Sequence, residues 1–550
     1  MYKDRIWTWS NIAPLADAAF GERYDLYKGE LSFHQEDLRL SGTGPDIVVG
    51  RTFMVGGWQA VIGPEGFEDW EITIPRLVAK SPGNPIWEGA GSGGPNRCTY
   101  FAAQPADSPY LFIKSREWWN GIQLVDQEGG MRDAMRRVPE NTLAPGGSTS
   151  TYVGVTKDHW QFSCLPQTAN GQPGEGILGL APDGSRYWFN WLVLSDSHNG
   201  LDKVGPDGKE YGLILYKAML LVTRIEDRFG NFLTYTYDGK KLQSISGSDG
   251  RLVSFTWAAD GSHITGMTSA GRTWNYQYTA PSSPFYTVGN LSQMTYPDGT
   301  GMQFNLGNFF DRQTEPTSTD CNPSPTESSL LSGGVDPTSY TGSITGPSGL
   351  TGTFTIRQVL RGRTKVPAGC NENPQTASIS ALHISNSLVA RQYTGPGGVN
   401  SLWQYQYSAP VASWASCGSC TTTTASATVT APDGSVSRST YSTEWGANEG
   451  KVVLQEDGIT ANGALRSTTY QYAPTDGMAY PALVGKMPIS FSEVDNDTPA
   501  QTYSPLWRKV VTQQGRTFVW EVAATCGSTG TSLCFDQYAQ PTRVVKSSTP

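Results

Sequence analysis

The stretch "DRFGNFLTYTYDG", residues 227–239, sets a turn signal ahead of two tyrosines and closes on a second turn signal. Counting from Gly230, aromatic residues fall five and seven positions later, at Tyr235 and Tyr237. The same count holds from Gly184 to Phe189 and Trp191, from Gly208 to Leu213 and Leu215, and from Gly250 to Phe255 and Trp257. It holds again from Gly271 to Tyr276 and Tyr278, and from Gly299 to Phe304 and Leu306. The anchors are separated by 24, 22, 20, 21 and 28 residues. A near-constant spacing combined with a fixed offset to large apolar side chains marks an internal repeat. Residues five and seven past the glycine share one face of a strand and the residue between them takes the other, so each unit has one apolar and one wet face. The Asp-Gly or Phe-Gly pair supplies the positive φ of a tight hairpin turn. A lone hairpin is marginal in water, so the rings, each worth roughly 150–250 Å² of burial, must be covered by a neighbouring repeat.

The composition agrees. At 550 residues the chain exceeds the size of a single growing core, and 62 Gly, 35 Pro, 11% aromatic and only 16% charged residues describe many short strands joined by turns. One of the few helix-compatible runs, Leu213 to Ile225, also suits a pair of strands. A net charge of −9 without a Lys/Arg cluster argues against nucleic acid, and no apolar run is long enough to span a membrane as a helix. The first twenty residues carry charge and Trp where a signal peptide needs a continuous apolar stretch, so export would use another route or an original N-terminus lying further upstream. Past Phe310 the count lapses through a Ser/Thr/Pro/Gly tract that reads as an inserted loop. It then returns loosely, from Gly434 to Tyr441, from Gly515 to Trp520 and Val522, and in the pairs Tyr405/Tyr407 and Tyr470/Tyr472, which have no matching upstream turn.

The motifs "DRFGNFLTYTYDGKKLQSI", "SDGRLVSFTW" and "VTAPDGSVSRSTY", with the lead-in "FGERYDLYKGELSFHQEDLRLSGTGPDIVVGRTF", resemble the bacterial Rhs and YD-repeat proteins, relatives of insecticidal toxin-complex shells and teneurins. The resemblance implies an all-β array of hairpins wound as a spiral ribbon, a shell or part of a hollow barrel. It also implies a structural, non-catalytic role: enclosing or presenting a C-terminal toxin in competition between bacteria or against a host. On that reading residues 1–175 are a β-rich lead-in capping the edge of the array, and 176–310 the main repeats. Residues 311–400 are an insertion with some strands, and 401–550 further degenerate repeats, truncated at the end. The partners implied are the remainder of the chain or a toxin cargo, with a secretion-system component, and the location is secreted or cell-surface. The chain lacks the P-x-x-x-x-D-P-x-G-L signature that closes the core in those relatives; its one Asp-Pro, Asp336–Pro337, continues differently. A β-propeller is the architectural rival.

No nucleophile elbow, H-E-x-x-H or P-loop is present, and the five histidines, His34, His159, His198, His263 and His383, have no metal-ligand spacing, so neither enzyme nor cofactor is expected. The acidic turn at Asp495 lacks the glycine of a calcium loop. Among eight cysteines, the C-x-x-C of Cys417 and Cys420 can close a small disulfide, bind zinc or do redox work, of which a disulfide or buried thiols fit the setting best. Trp118 and Trp119 are the candidate glycan contacts, the basis of an alternative reading as a surface adhesin or carbohydrate-binding module.

Overall fold

The computed structural model describes residues 18–56, 66–82, 87, 96–101, 119, 121–137, 151–204, 210–280, 289–310, 335–366, 381–415, 417–446, 448–473, 485–486, 504–526, 533–536 and 538–549. Among the described residues the fold is nearly all β, with one α-helical turn at Gly307–Phe310 and a 3-10 turn at Pro396–Gly398. Four strands, β1 (Glu22–Tyr24), β2 (Leu31–Leu40), β3 (Ile47–Met54) and β4 (Glu71–Ile72), make a separate N-terminal sheet. The next eight close a barrel: β5 (Arg76–Pro82), β6 (Ile122–Val125), β7 (Met131–Arg137), β8 (Gly154–Val155), β9 (Gln161–Leu165), β10 (Gly176–Leu180), β11 (Arg186–Val204) and β12 (Glu210–Glu226).

Barrel and ribbon share β12. One of its edges pairs with β11 throughout; on the other, Leu215–Leu221 pair with β5 and close the barrel, while Arg224–Glu226 pair with the next strand. Covered on both edges, Ala218–Val222 are all buried, which is why this run reads as apolar throughout. The structure therefore makes it one long strand, neither a helix nor two strands. Continuous burial erases the period that would have told them apart.

From β12 the chain runs as a continuous antiparallel ribbon: β13 (Phe232–Asp238), β14 (Lys241–Gly247), β15 (Leu252–Trp257), β16 (Ile264–Ser269), β17 (Arg272–Thr279), β18 (Asn290–Thr295) and β19 (Gly301–Asn305). It continues through β20 (Ser339–Thr345), β21 (Thr351–Gly362), β22 (Leu382–Gly395), β23 (Val399–Tyr407), β24 (Thr424–Thr430), β25 (Val436–Ser442), β26 (Val452–Thr460) and β27 (Gly463–Tyr472). β28 (Gly485–Lys486) leaves the ribbon to pair with β7, and β29 (Leu506–Gln513), β30 (Arg516–Val522) and β31 (Val544–Thr549) complete it, β29 pairing directly with β27. The described strands form one meander and not the separate four-stranded blades of a propeller.

The turns explain the repeat. Gly184, Gly230, Gly250, Gly271 and Gly299 all have positive φ, between 73° and 90°. At Gly184 the glycine N–H donates to Ala181 O (3.0 Å) and Ala181 N–H to Ser185 O (2.8 Å); the same two bonds recur at Gly230, Gly250, Gly299, Gly349 and Gly434. This is a type I turn closed by a left-handed glycine, a hairpin connection that favours Gly at its last position. Gly271 differs: Ala270 (φ 47°) and Gly271 form a two-residue turn between Ser269 and Arg272.

At the seventh position the ladder slips. A register shift falls immediately before Trp191, Tyr237, Trp257, Tyr278, Ile356 and Tyr441, each seven residues past a positive-φ glycine. A bulge bends its strand and sharpens the twist, so these six bulges each add bend and twist to the ribbon. The seventh-position ring uses its polar tip there: Tyr237 Oη donates to Val222 O (2.7 Å), Trp257 Nε1 to Leu242 O (3.0 Å) and Tyr278 Oη to Ile264 O (2.6 Å). That accounts for the preference for Tyr and Trp over Phe at this position.

The count does not lapse after Phe310 as expected. Gly349 (φ 79°) leads to Phe354 and Ile356, both buried, and Gly398 (φ 78°) to Trp403 and Tyr405. Ser339–Gly362 is another hairpin of the ribbon; its Ser/Thr/Gly content hid two strands whose wet face is polar and whose inner residues are few.

Candidate functional site: the seam between the N-terminal sheet and the ribbon

The rings of the repeat are covered, but not chiefly by the next hairpin. The N-terminal sheet lies across them. Phe33 meets Phe354 (4.7 Å between ring centres), Phe67 meets Tyr276 (4.7 Å), Trp70 meets Phe304 (5.2 Å), Tyr24 meets Tyr405 (5.3 Å), and Phe20 meets Tyr393 (5.8 Å). These residues belong to one continuous core with Phe189, Tyr235, Tyr237 and Phe255. Backbone bonds across the seam are few, such as Gly56 N–H to Phe309 O and Ile264 N–H to Gly66 O. Within the lead-in, then, the N-terminal sheet covers ring-bearing residues, while β5 and β9 pair with β12 and β10 at the start of the array. Buried ring area is worth about 25 cal/mol per Å².

Charge is buried in the same seam, always with a partner. Arg51, fully buried, donates to Asp37 (2.9 Å) and lies over the rings of Trp70 and Phe304 (4.6 and 4.5 Å). Burial works against its charge, and the Asp37 carboxylate outweighs it. From the ribbon, Tyr276 Oη donates to Asp37 (3.0 Å); burial and then the carboxylate push that phenol well above its ordinary range. Arg391 pairs with Glu22 (3.1 Å) over the Trp403 ring (4.0 Å), and Arg363 pairs with Glu449 (2.6 Å). An ion pair this dry stabilises little against an apolar substitute, but breaking it leaves a stranded charge, so such pairs fix which surfaces meet.

A second contact is the Gly66–Trp70 clasp. Glu68, held at φ 59°, accepts from His263 Nδ1 (2.7 Å) and Gly289 N–H (2.9 Å), while Asp69 accepts from Leu291 N–H (2.8 Å). Burial pushes the Asp69 carboxyl well up. Ser262 Oγ also lies 2.9 Å from His263 Nδ1. Serine and glutamate thus share one ring nitrogen, whereas a Ser-His-acid relay needs them on opposite nitrogens.

Asp133 of β7 and Lys157 face each other electrostatically, with Lys28 of the N-terminal sheet beside them. Burial pushes the Asp133 carboxyl up to about 7, against the pull of Lys157 and Lys28, and burial lowers the Lys157 ammonium. Lys451 is lowered to about 7 by burial and then by Lys157.

The anticipated residues fall as follows. Phe189, Tyr235, Tyr237, Phe255, Tyr276 and Phe304 are buried, and Trp191, Trp257 and Tyr278 are half-buried against the same core. Trp119 is 2% exposed, so its ring offers no face to a sugar; it belongs to the hydrophobic core instead. Cys417 and Cys420 are joined by a disulfide, as are Cys98–Cys164 and Cys526–Cys534. Trp118, Gly208, Cys321, Cys370 and the Asp495 turn lie outside the described residues, as does the side chain of His198. Of the other histidines, His383 is buried, His159 packs on Tyr538, and His34 is lowered to about 4, mainly by burial. Among the described residues no group of three or more His, Cys, Asp or Glu is placed to hold a metal, and no helix is long and apolar enough to cross a membrane. Missed in the sequence were Glu22, Asp37, Arg363, Arg391 and Glu449, whose partners no local pattern reveals.

No protein-family model and no curated protein matches the chain. Among solved structures it is similar to the N-terminal domain of the effector protein SpvB from Salmonella typhimurium strain LT2. That match has a TM-score of 0.18 and 9% identity, covering 68% of this chain and 95% of that one. It is also similar to TcdB2-TccC3-TEV, with a TM-score of 0.13 and 10% identity, covering 98% of this chain. The chain spans 27% of the length of that second structure. Superpositions this loose carry no argument about function.

Proposed function

We propose that the chain is a non-catalytic structural shell of an exported bacterial YD-repeat protein, whose curved wall encloses or presents a C-terminal toxin segment. The observation that carries this reading is the bulge that recurs at the seventh position along one continuous ribbon, because each bulge bends and twists the strand that carries it. Three disulfides among the described residues support a destination in an oxidising compartment. No observation favours the adhesin alternative, since Trp119 is buried.

The test fuses a protease-sensitive reporter polypeptide after Pro550 of the full chain. The proposal expects the reporter to survive protease until the shell is denatured. Digestion at the rate of the free reporter would refute it.

A further inference from the structure

The turn between β1 and β2, "DLYKG", is built before it meets the ribbon. Asp25 Oδ1 accepts from the N–H groups of Tyr27 (2.8 Å) and Lys28 (3.0 Å), Gly29 N–H donates to Asp25 O (2.6 Å), and Asp25 N–H donates to Glu30 O (2.9 Å). Each of these bonds is local, so the turn carries its own shape.

The ribbon meets it with a socket. Arg361 donates to Leu26 O (3.3 Å) while Ser385 (3.0 Å) and Ser387 (2.7 Å) hold its other nitrogens, and the guanidinium lies 4.0 Å over the Tyr407 ring. Tyr27 packs on Tyr441 (5.8 Å) and donates to Glu449 (3.3 Å), itself paired with Arg363. Gly29 sits close against the socket: a Cβ there would lie 2.1 Å from Ser387 Oγ, 2.7 Å from Arg361 Nη2 and 2.9 Å from Ser385 Oγ, so these side chains would have to move aside. Its φ of +76° is what demands glycine. Carbonyl, tyrosine hydroxyl and glycine are each read by a separate group, which is how a site recognises a shape rather than merely an apolar surface.

We propose that this socket is a recognition site for an acidic, tyrosine-bearing tight turn, filled in cis by Asp25–Gly29, so that the N-terminal sheet is an exchangeable strap over the ring-bearing face. Tethering keeps the native turn at an effective concentration on the order of millimolar, which excludes a competitor supplied in trans below that level. Weakening the native turn opens the socket to one. What it would accept is an extended segment patterned like Glu22–Glu30, with a carboxylate shaping the turn and glycine at its end.

The experiment uses the full chain and a fluorescent nonapeptide of the sequence ERYDLYKGE. Anisotropy should show no saturable binding to the wild-type chain below millimolar peptide, and binding at least about tenfold tighter to Gly29→Ala. The peptide in which alanine replaces its glycine should not bind either chain. Should Gly29→Ala fail to fold, Tyr27→Phe keeps the ring and loses only the bond to Glu449. Its hydrogen exchange should quicken at residues 22–40 and 382–388 and stay unchanged at 161–165 in the barrel. A folded Gly29→Ala chain that takes up no peptide overturns the proposal, as does exchange in Tyr27→Phe that is unchanged or quickened evenly through the barrel.

Discussion

Replacing Asp133 by Asn tests directly whether burial raises this carboxyl. The folded carboxyl titrates near 7 against an ordinary value of 3.8. Because burial raises it, the folded chain holds this proton more tightly than the unfolded chain. Its contribution is complete below about pH 4 and is lost as the pH rises to about 7. The gap is about 3 units (7 − 3.8), an upper bound of about 4 kcal/mol at 1.36 kcal/mol per unit. Two effects reduce it. The side chain is only partly buried, and without Asp133 the Lys157 ammonium loses the one charge that supports it, so part of the gain returns as a cost on the lysine. Asp133→Asn should therefore match the wild type at pH 4 and exceed it by about 1–2 kcal/mol at pH 8. Denaturant midpoints measured at pH 4, 5.5, 7 and 8 decide the matter. Parallel curves, or a variant weaker than the wild type at pH 8, would mean that Asp133 sits in ordinary solvent.

Phe33→Ala removes a fully buried ring between Phe53 and Phe354 and should cost about 3–5 kcal/mol in the same denaturant assay, although the residue belongs to no repeat. Gly230→Ala isolates the turn: its Cβ would meet nothing within 4 Å, so the cost should be the backbone term alone, about 1–2 kcal/mol, with no change in the packing reported by near-UV dichroism. Changing Cys98 and Cys164 together to Ser opens a span of 66 residues and should cost about 4 kcal/mol, a difference from the wild type that should vanish when both are measured under strong reductant.

The strands of the ribbon were legible because their signals are local. Gly230 and Tyr235 lie five residues apart, and period two together with the positive φ of the turn suffices to place both. The same count was available at Gly349, Phe354 and Ile356 but was masked by the polar residues around it. For Trp119 the sequence offered two readings, sugar contact and the favoured core packing, because a paired tryptophan looks alike in either setting. Composition does not separate the two.

By itself the amino-acid order determined that the chain is β throughout, where it reverses, and which side of each strand is apolar, since backbone sterics and side-chain alternation act over a handful of residues. Only the tertiary structure decided what covers that side. Glu22 meets Arg391 across 369 residues, and Tyr27 meets Glu449 across 422. Nothing near either end of such a pair names the other, because a buried charge is matched by whatever the folded chain brings to it, and many arrangements of the same strands would have offered a different partner.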